Sequence, residues 1–252
     1  MAILYAASDP IELAPFAARL AGLRKLNWPI DYAYEGVLEG RRVVLVANGA
    51  GPKLGAQAVE IAIRAVTAAE LSSSRLEAVV STGFCGALDP ALRESQIVIA
   101  TEALDLDTGQ NFPCDPVLAT SADAASVIVG CQNRVAIDAA EKQRLAARGA
   151  QVVDMESVGV AARAQRAGLP FCCIKVVSDA AGESFSIDFN QMRTSEGRIA
   201  RSKIVLHALT HPAVVSDLFR LKRRMSAAAE ALAQFLLGCR IKSPDAVTPT
   251  AS

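Results

Sequence analysis

Val152-Val153-Asp154-Met155-Glu156-Ser157 is the stretch that decides the fold, together with Ile174-Lys175-Val176-Val177-Ser178-Asp179. Each stretch is a short apolar run that ends in acidic and hydroxyl side chains. In an open α/β sheet, ligands bind in the crevice outside the carboxyl ends of the strands. The two stretches therefore predict an α/β fold in which two acidic clusters face one ligand. One cluster suits holding a diol, and the other suits giving a proton to a leaving group.

The composition favours helices packed on a buried sheet. Of the 252 residues, 52% are hydrophobic and only 5% are aromatic, as expected where strands are covered on both faces. Strand and helix patterns alternate without a linker or an internal repeat. This order predicts one three-layer αβα sandwich around a mixed, mostly parallel sheet, over residues 1–242. The Pro/Thr/Ser-rich residues 243–252 are predicted to be a disordered tail.

The periodicity of apolar residues predicts the individual elements. Strands are expected at residues 2–7, 33–38, 41–47, 78–82, 97–103, 127–129, 151–153 and 171–177. Helices are expected at residues 10–23, 52–71, 136–148 and 157–167, then one before Pro212 and one over 213–237. Glu39-Gly40 predicts a hairpin turn, residues 83–86 predict a loop after the fourth strand, and residues 105–116 predict an irregular loop.

Charge and cysteine content limit the partners and the compartment. Lys plus Arg equals Asp plus Glu at 26 each, so global charge indicates no nucleic-acid partner. Residues 193–242, however, carry ten basic and three acidic residues, a net charge of +7. That region is either a solvated helix face or a surface for peripheral contact with an anionic membrane. Six cysteines without a C-x-x-C pair, no secretory signal and no long apolar span predict a cytoplasmic protein.

Neither an organic cofactor nor a metal ion is predicted. The turn Gly49-Ala50-Gly51-Pro52-Lys53-Leu54-Gly55 places its third glycine one position late for a dinucleotide fingerprint. It could still present a helix N-terminus to an oxygen-rich ligand. His207 and His211 are the only histidines, which leaves no separate histidine for a nucleophilic triad and no third zinc ligand. Acid–base chemistry must therefore come mainly from carboxylates.

Three stretches resemble the nucleoside phosphorylase/nucleosidase superfamily: 152–157, 176–179, and 81–88 followed by Ile97-Val98-Ile99-Ala100. They look most like its methylthioadenosine/S-adenosylhomocysteine nucleosidase side. Three further features are similar to the hopanoid-associated phosphorylase branch. They are the form of residues 154–157, the short stretch between the strands predicted at 97–103 and 127–129, and the basic C-terminal region. The resemblance implies a homodimer that hydrolyses the N-glycosidic bond of a purine nucleoside. The base is expected to be adenine and the 5′ position to be modified.

The resemblance also implies which residues form the site. Glu156 would accept hydrogen bonds from the ribose 2′- and 3′-hydroxyls, and Met155 would pack on the sugar face. Asp179 would give a proton to N7 of the purine, with Ser178 orienting it. Glu12 falls where nucleosidases keep the base that activates water, although an ordinary first-turn helix acid is an equal alternative.

An acid is needed because the purine leaves with negative charge when the C1′–N9 bond breaks. General acid catalysis of this kind contributes about 10²–10⁴-fold. A free aspartic acid loses its proton well below neutral pH, so the sequence predicts that burial beside Val176 and Val177 keeps Asp179 protonated.

The acceptor of the sugar is the main alternative that the sequence leaves open. Phosphorylases of this superfamily carry an Arg before the Gly loop and a Ser within it, where this chain has Ser81 and Phe84 beside Gly83. Loss of a guanidinium and a hydroxyl removes strong phosphate contacts, so water is the predicted acceptor. Phosphorolysis remains the alternative, and a nucleoside-binding protein without turnover is a second one.

Overall fold

The computed structural model of the chain describes residues 2–68, 75–118, 124–194, 198 and 212–241. The strands are β1 (Ala2–Ala7), β2 (Ala21–Lys25), β3 (Tyr32–Leu38), β4 (Arg41–Ala47), β5 (Leu76–Ala87), β6 (Ile97–Asp105), β7 (Asn111–Pro113), β8 (Val117–Leu118), β9 (Ala125–Cys131), β10 (Val152–Asp154), β11 (Phe171–Asp179) and β12 (Arg240–Ile241). The helices are α1 (Pro10–Ala17), α2 (Pro52–Thr67), α3 (Ala139–Ala146), α4 (Ser157–Arg166) and α5 (Pro212–Gly238).

A mixed sheet forms the middle layer, as the sequence predicts. Its order is β10-β9-β6-β11-β5-β1-β4-β3-β2, and β7 pairs with β6. The central strands β4, β1, β5 and β11 run parallel to one another. The hairpin turn is confirmed, because Glu39 and Gly40 both adopt positive φ, 48° and 77°, as a two-residue hairpin loop requires.

Helices cover both faces of this sheet and bury two hydrophobic clusters. Helices α2 and α4 pack together on one face, and α1 and α5 pack together on the other. Gly159 allows the first pair to approach closely, because a Cβ there would lie 1.9 Å from the carbonyl oxygen of Pro52. The three-layer αβα sandwich is confirmed.

The sheet closes on itself at one end, and this closure forms the site. Strand β10 pairs with β9 in parallel and also with the far end of β5 in antiparallel. Gly86 of β5 is in register with Val153 on one side and with Asp179 on the other. The two acidic stretches therefore meet although β10 and β11 run in opposite directions. The convergence depends on the curled sheet, and not on a shared edge of parallel strands.

Several predicted boundaries are wrong. The first helix ends at Ala17 instead of continuing to residue 23, because the chain turns at residues 18–20 and then pairs with β3 as β2. The second helix ends at Thr67 instead of residue 71. Residues 83–86 continue β5, where they pair with both neighbouring strands. The predicted loop at 105–116 contains β7. The helix predicted at 136–148 covers only α3, which Asp138 caps.

The last helix is confirmed as α5, with Leu232 and Leu236 fully buried on the sheet. The helix predicted before Pro212, the predicted tail, His207 and His211 all lie outside the described residues. Among the helices that are described, none combines the length and apolar character needed to cross a bilayer.

Candidate active site

An open cavity of about 220 Å³ lies where β5, β10 and β11 meet. The predicted site residues Glu12, Phe84, Met155, Glu156, Ser178 and Asp179 all line it. Arg134, Phe185 and Phe189 line it from the loops, and Leu221 and Met225 line it from α5. The structure therefore brings six of the seven predicted residues to one cavity, and places the seventh, Gly83, behind it.

Glu156 directly precedes α4, and its buried side chain contacts the N-terminus of α2. Its Oε1 accepts a hydrogen bond from the backbone N–H of Gly51 at 3.0 Å. The backbone N–H of the glycine-rich turn therefore binds an oxygen of the protein's own Glu156, and not an oxygen of a ligand. Burial, followed by the nearby charge of Asp154, raises the pKa of Glu156 to about 8. Glu156 thus keeps a proton at neutral pH until hydroxyl donors from a ligand favour the charged carboxylate.

Asp154 and Lys175 form a buried ion pair beneath Glu156. Lys175 Nζ lies 2.7 Å from Asp154 Oδ2, and both side chains are almost fully buried. Lys175 also donates to the carbonyl of Thr82, and Asp154 accepts from the hydroxyl and N–H of Ser157. Burial is the largest single influence and disfavours the charged lysine, but Asp154 and the acidic groups around it together outweigh burial and raise the pKa of Lys175.

Glu12 occupies the first turn of α1 and faces the same cavity. Its Oε2 accepts from the N–H of Ser8 and of Asp9, both at 2.8 Å, and from the Ser8 hydroxyl at 2.9 Å. Its Oε1 accepts from the N–H of Phe84 at 2.8 Å. Glu12 is thus both a helix-capping acid and a buried carboxylate at the site. Burial raises its pKa above the ordinary value, which suits a base that takes a proton from water.

Gly83 makes room for Glu12, although it does not itself line the cavity. It adopts a φ of +114°, and a Cβ there would lie 2.5 Å from Glu12 Oε1. Phe84, next in β5, uses its N–H to bind Glu12 and presents a half-buried ring to the cavity. The glycine-rich end of β5 therefore serves to seat a carboxylate.

Asp179 ends β11 with its side chain buried against Gly86. Its Oδ1 lies 2.6 Å from Ser178 Oγ, which also lies 3.1 Å from the carbonyl oxygen of Cys85. A hydroxyl has one proton to donate. Ser178 can therefore donate a hydrogen bond to the carboxylate, or donate to the carbonyl of Cys85 while it accepts a hydrogen bond from a protonated Asp179. The site accommodates both states.

Asp179 is buried, as the sequence predicts, but it also forms an ion pair with Lys142 that the sequence does not predict. Lys142 extends from α3 and is 1% exposed, and its Nζ lies 2.5 Å from Asp179 Oδ2. Nothing in the polar segment around Lys142 indicates burial. Lys175, in contrast, interrupts an apolar strand, and that interruption is a readable signal of a buried partner.

Apolar side chains form the part of the cavity wall that lies beside Lys142. Phe185 and Phe189 contact each other edge to face, with ring centroids 5.5 Å apart. Leu221 and Met225 close this side from α5. The C-terminal part of the chain therefore provides this wall, and the short stretch between β6 and β9 does not. In the part of the chain that the structure describes, no three His, Cys, Asp or Glu side chains cluster in a way that could hold a metal ion.

Comparisons with known proteins agree with this architecture. The sequence profile of the phosphorylase superfamily matches residues 3–210. The fold is similar to 5′-methylthioadenosine/S-adenosylhomocysteine nucleosidase from Streptococcus pneumoniae, solved with a transition-state inhibitor, at 19% identity and a TM-score of 0.69, covering 94% of this chain and 97% of that one. The same enzyme from Neisseria meningitidis, in complex with methylthio-immucillin-A, matches at 20% identity and a TM-score of 0.68, covering 94% and 98%.

A futalosine hydrolase mutant from Helicobacter pylori has the same fold, at 13% identity and a TM-score of 0.67, covering 94% of this chain and 96% of that one. The profile match includes most of the chain and every residue that lines the cavity up to Phe189. The chain therefore belongs to the phosphorylase superfamily.

Proposed function

We propose that this protein hydrolyses the N-glycosidic bond of a purine nucleoside. The observation that carries the proposal is that Asp179, Glu156 and Glu12 line one cavity, each in a different setting. Asp179 is ion-paired, Glu156 is bonded to a helix N-terminus, and Glu12 is buried among N–H donors. Carboxyl groups that differ in this way can act separately as acid, ribose ligand and base.

The three carboxylates fit the steps of glycosidic bond cleavage. Asp179 gives a proton to N7 as the pair of electrons in the C1′–N9 bond moves into the purine. The ribosyl group becomes cation-like, and Glu156, charged once it accepts the 2′- and 3′-hydroxyls, stabilises it. Glu12 takes a proton from the water that attacks C1′. The aromatic pair near Asp179 offers a face for the purine.

Water is favoured over phosphate by the groups around the glycine-rich end of β5. The N–H of Phe84, which would otherwise be free to bind a phosphate oxygen, donates to Glu12. A phosphate dianion there would lie beside Glu12, which must be charged to act as the base, and like charges at short range are strongly unfavourable in a buried site. Lys175 nearby already neutralises Asp154.

The test incubates the pure protein with methylthioadenosine, S-adenosylhomocysteine, adenosine and inosine, with and without phosphate, in ¹⁸O-labelled water. Mass spectrometry follows the base and the sugar. We expect free adenine without phosphate, and one ¹⁸O atom in the sugar. Glu12→Gln, which keeps the shape of the side chain, is expected to lower this rate by about 10²-fold. Its melting temperature controls for misfolding.

Other outcomes would contradict specific parts of the proposal. Release that requires phosphate and yields a sugar 1-phosphate would make the protein a phosphorylase and remove Glu12 as the base. An unchanged rate in Glu12→Gln would remove that role alone. A ligand that raises the melting temperature without any product would indicate a nucleoside-binding protein.

Leu221 and Met225, which line the cavity from α5, support an apolar 5′ substituent on the nucleoside. The ranking of methylthioadenosine above adenosine in the same assay tests this preference, and equal rates would contradict it.

We also propose that the protein acts as a homodimer in the cytoplasm. Light scattering after size-exclusion chromatography tests the dimer, and a monomer mass at assay concentration would contradict it.

A basic and apolar face of α5 supports peripheral contact with an anionic membrane. Val215, Phe219, Lys222 and Arg223 recur at helical spacing on one side, all exposed, and Phe219 is 70% exposed. An exposed aromatic ring among cations is the pattern of a helix that lies on a lipid surface.

Co-sedimentation with vesicles tests this contact. The protein is expected to bind vesicles that contain anionic phospholipid at low salt, and to bind less at high salt. Phe219→Ser is expected to weaken binding at both salt concentrations, because it removes the apolar contact. Equal sedimentation with neutral and anionic vesicles would contradict the proposal.

A further inference from the structure

Lys142 is a buried cation at the site that has no role in the steps proposed above. Its Nζ lies 2.5 Å from Asp179 Oδ2 and 2.7 Å from the carbonyl oxygen of Ala180, and 5.6 Å from the centre of the Phe185 ring. The side chain is 1% exposed. Burying an ammonium group is costly unless a carboxylate and further hydrogen bonds compensate it. Lys142 is therefore bound to the site by Asp179.

This contact bears on where the acidic proton resides. With Lys142 charged, Asp179 accepts from Lys142 Nζ at one oxygen and from Ser178 Oγ at the other. An aspartate that accepts at both oxygens is a carboxylate and has no proton of its own to give. The ammonium group of Lys142 is then the proton donor in direct contact with that carboxylate.

We propose that Lys142 is a positioning residue that supplies, through Asp179, the proton received by the leaving purine. The inference rests on the proposed function. As the C1′–N9 bond breaks and its electron pair enters the purine, Lys142 Nζ passes a proton to the Asp179 carboxylate, and Asp179 passes a proton to N7. Lys142 is left neutral, Asp179 is again a carboxylate, and solvent returns the proton to Lys142 after the purine leaves.

Ser178 lets Asp179 accept this proton without losing its hydrogen bonds. When Asp179 is protonated, the Ser178 hydroxyl can accept from it and donate instead to the carbonyl of Cys85, 3.1 Å away. Rotation of one hydroxyl thus follows the transfer. Phe185, which lies over Lys142 and also lines the cavity, brings the site of the purine close to the proton source.

The other charged and titratable groups near the pair are engaged with one another. Arg224 of α5 is ion-paired with Glu183 at 2.6 Å and with Glu94 at 3.1 Å, and donates to the carbonyl of Ser178. Glu141, next to Lys142 in α3, lies 3.4 Å from Arg134. On β5, the remaining titratable group that faces Asp179 is the thiol of Cys85, whose pKa burial raises far above neutral. Lys142 is thus the cation that contacts Asp179 directly.

The test compares the pH dependence of turnover in the wild type and in Lys142→Met. Wild-type kcat is expected to change little as the pH rises above neutral, because the Lys142 ammonium group lies against Asp179 and can supply its proton. Lys142→Met must rely on a proton held by Asp179 alone. We therefore expect turnover within about tenfold of wild type at pH 5, and a deficit of about 10²-fold or more at pH 8.

A substrate whose leaving group needs no proton separates chemistry from folding. Release of 4-nitrophenolate from 4-nitrophenyl riboside is expected to be similar in the wild type and in Lys142→Met at every pH. Lys25→Met, which removes an exposed lysine from the outermost strand β2, is the matched control and is expected to keep the wild-type profile with the nucleoside.

Each outcome decides a separate point. Parallel pH profiles for wild type and Lys142→Met would overturn the role of Lys142 and leave the nucleosidase proposal standing. A wild-type kcat that falls steeply as the pH rises from 6 to 7 would also overturn it, and this measurement does not depend on the variant folding. A wild type that cleaves no nucleoside at any pH would overturn the proposed function itself.

Discussion

Asp179→Asn is expected to lower kcat on a purine nucleoside by about 10²–10⁴-fold, the range that general acid catalysis contributes. Asparagine has the shape of aspartate and can still bond to Ser178, but its amide cannot pass a proton to N7. Binding of adenine should therefore be kept within about tenfold, because the aromatic pair Phe185 and Phe189 is unchanged. Calorimetric titration with adenine and a turnover assay with the nucleoside measure the two effects on the same protein.

The substitution also leaves Lys142 without its carboxylate, and removing one partner of a buried ion pair costs about 3–5 kcal/mol. A fall in melting temperature is therefore expected, and assays must be run below the new transition. Asp107→Asn, at an exposed position after β6, controls for the chemical change. Undiminished turnover in Asp179→Asn would show that another group protonates the purine, and the roles of both Asp179 and Lys142 would be lost.

The acidic residues of the site could be predicted because each follows a strongly apolar run. Val152-Val153 and Phe171–Val177 are buried strands. An acid directly after such a strand lies at the end of the sheet, where ligands bind in α/β folds. The reason that the two ends meet was not predictable in the same way. It depends on Gly86, which pairs with Val153 on one side and with Asp179 on the other, and such long-range pairing has no local signature.

Lys142 and β2 show where sequence patterns carry no information. Lys142 lies in a polar helix, where burial depends only on what α3 packs against, and its partner is 37 positions away. The residues of β2 are all exposed, so they lack the alternation that indicates a half-buried strand. In both cases contacts with distant parts of the chain decide the outcome. Local sequence alone predicts an exposed lysine at position 142 and no strand at residues 21–25.

Glu156→Gln is expected to abolish most turnover and at the same time to stabilise the protein at alkaline pH. Two hydrogen bonds from ribose hydroxyls to a charged carboxylate are worth about 1.5–3 kcal/mol each. Their weakening to a neutral amide should lower kcat/KM by about 10²-fold or more. The amide oxygen can still accept from the N–H of Gly51, which holds the side chain in place.

The gain in stability follows from the pKa of Glu156, which burial raises from an ordinary 4.5 to about 8. Between these two values the folded protein holds a proton that the unfolded chain has released. The free energy of unfolding therefore falls as the pH rises from about 4.5 to about 8, and stays low above that. Each pKa unit corresponds to about 1.4 kcal/mol, so the wild type loses a few kcal/mol. Glutamine carries no charge and escapes this loss.

Thermal unfolding of both proteins between pH 5 and pH 9 measures the effect. The two melting temperatures should be close at pH 5, and Glu156→Gln should melt about 5 °C or more above the wild type at pH 9, since about 1 kcal/mol corresponds to 2–4 °C in a chain of this size. Glu39→Gln, on the exposed hairpin turn, should show no such divergence. A constant difference across the pH range would contradict the buried, protonated state of Glu156. Retained turnover in Glu156→Gln would remove its role as the ribose ligand. Both results follow from one feature: the site keeps a carboxylate where folding alone would favour a neutral group, because binding the diol requires the charge.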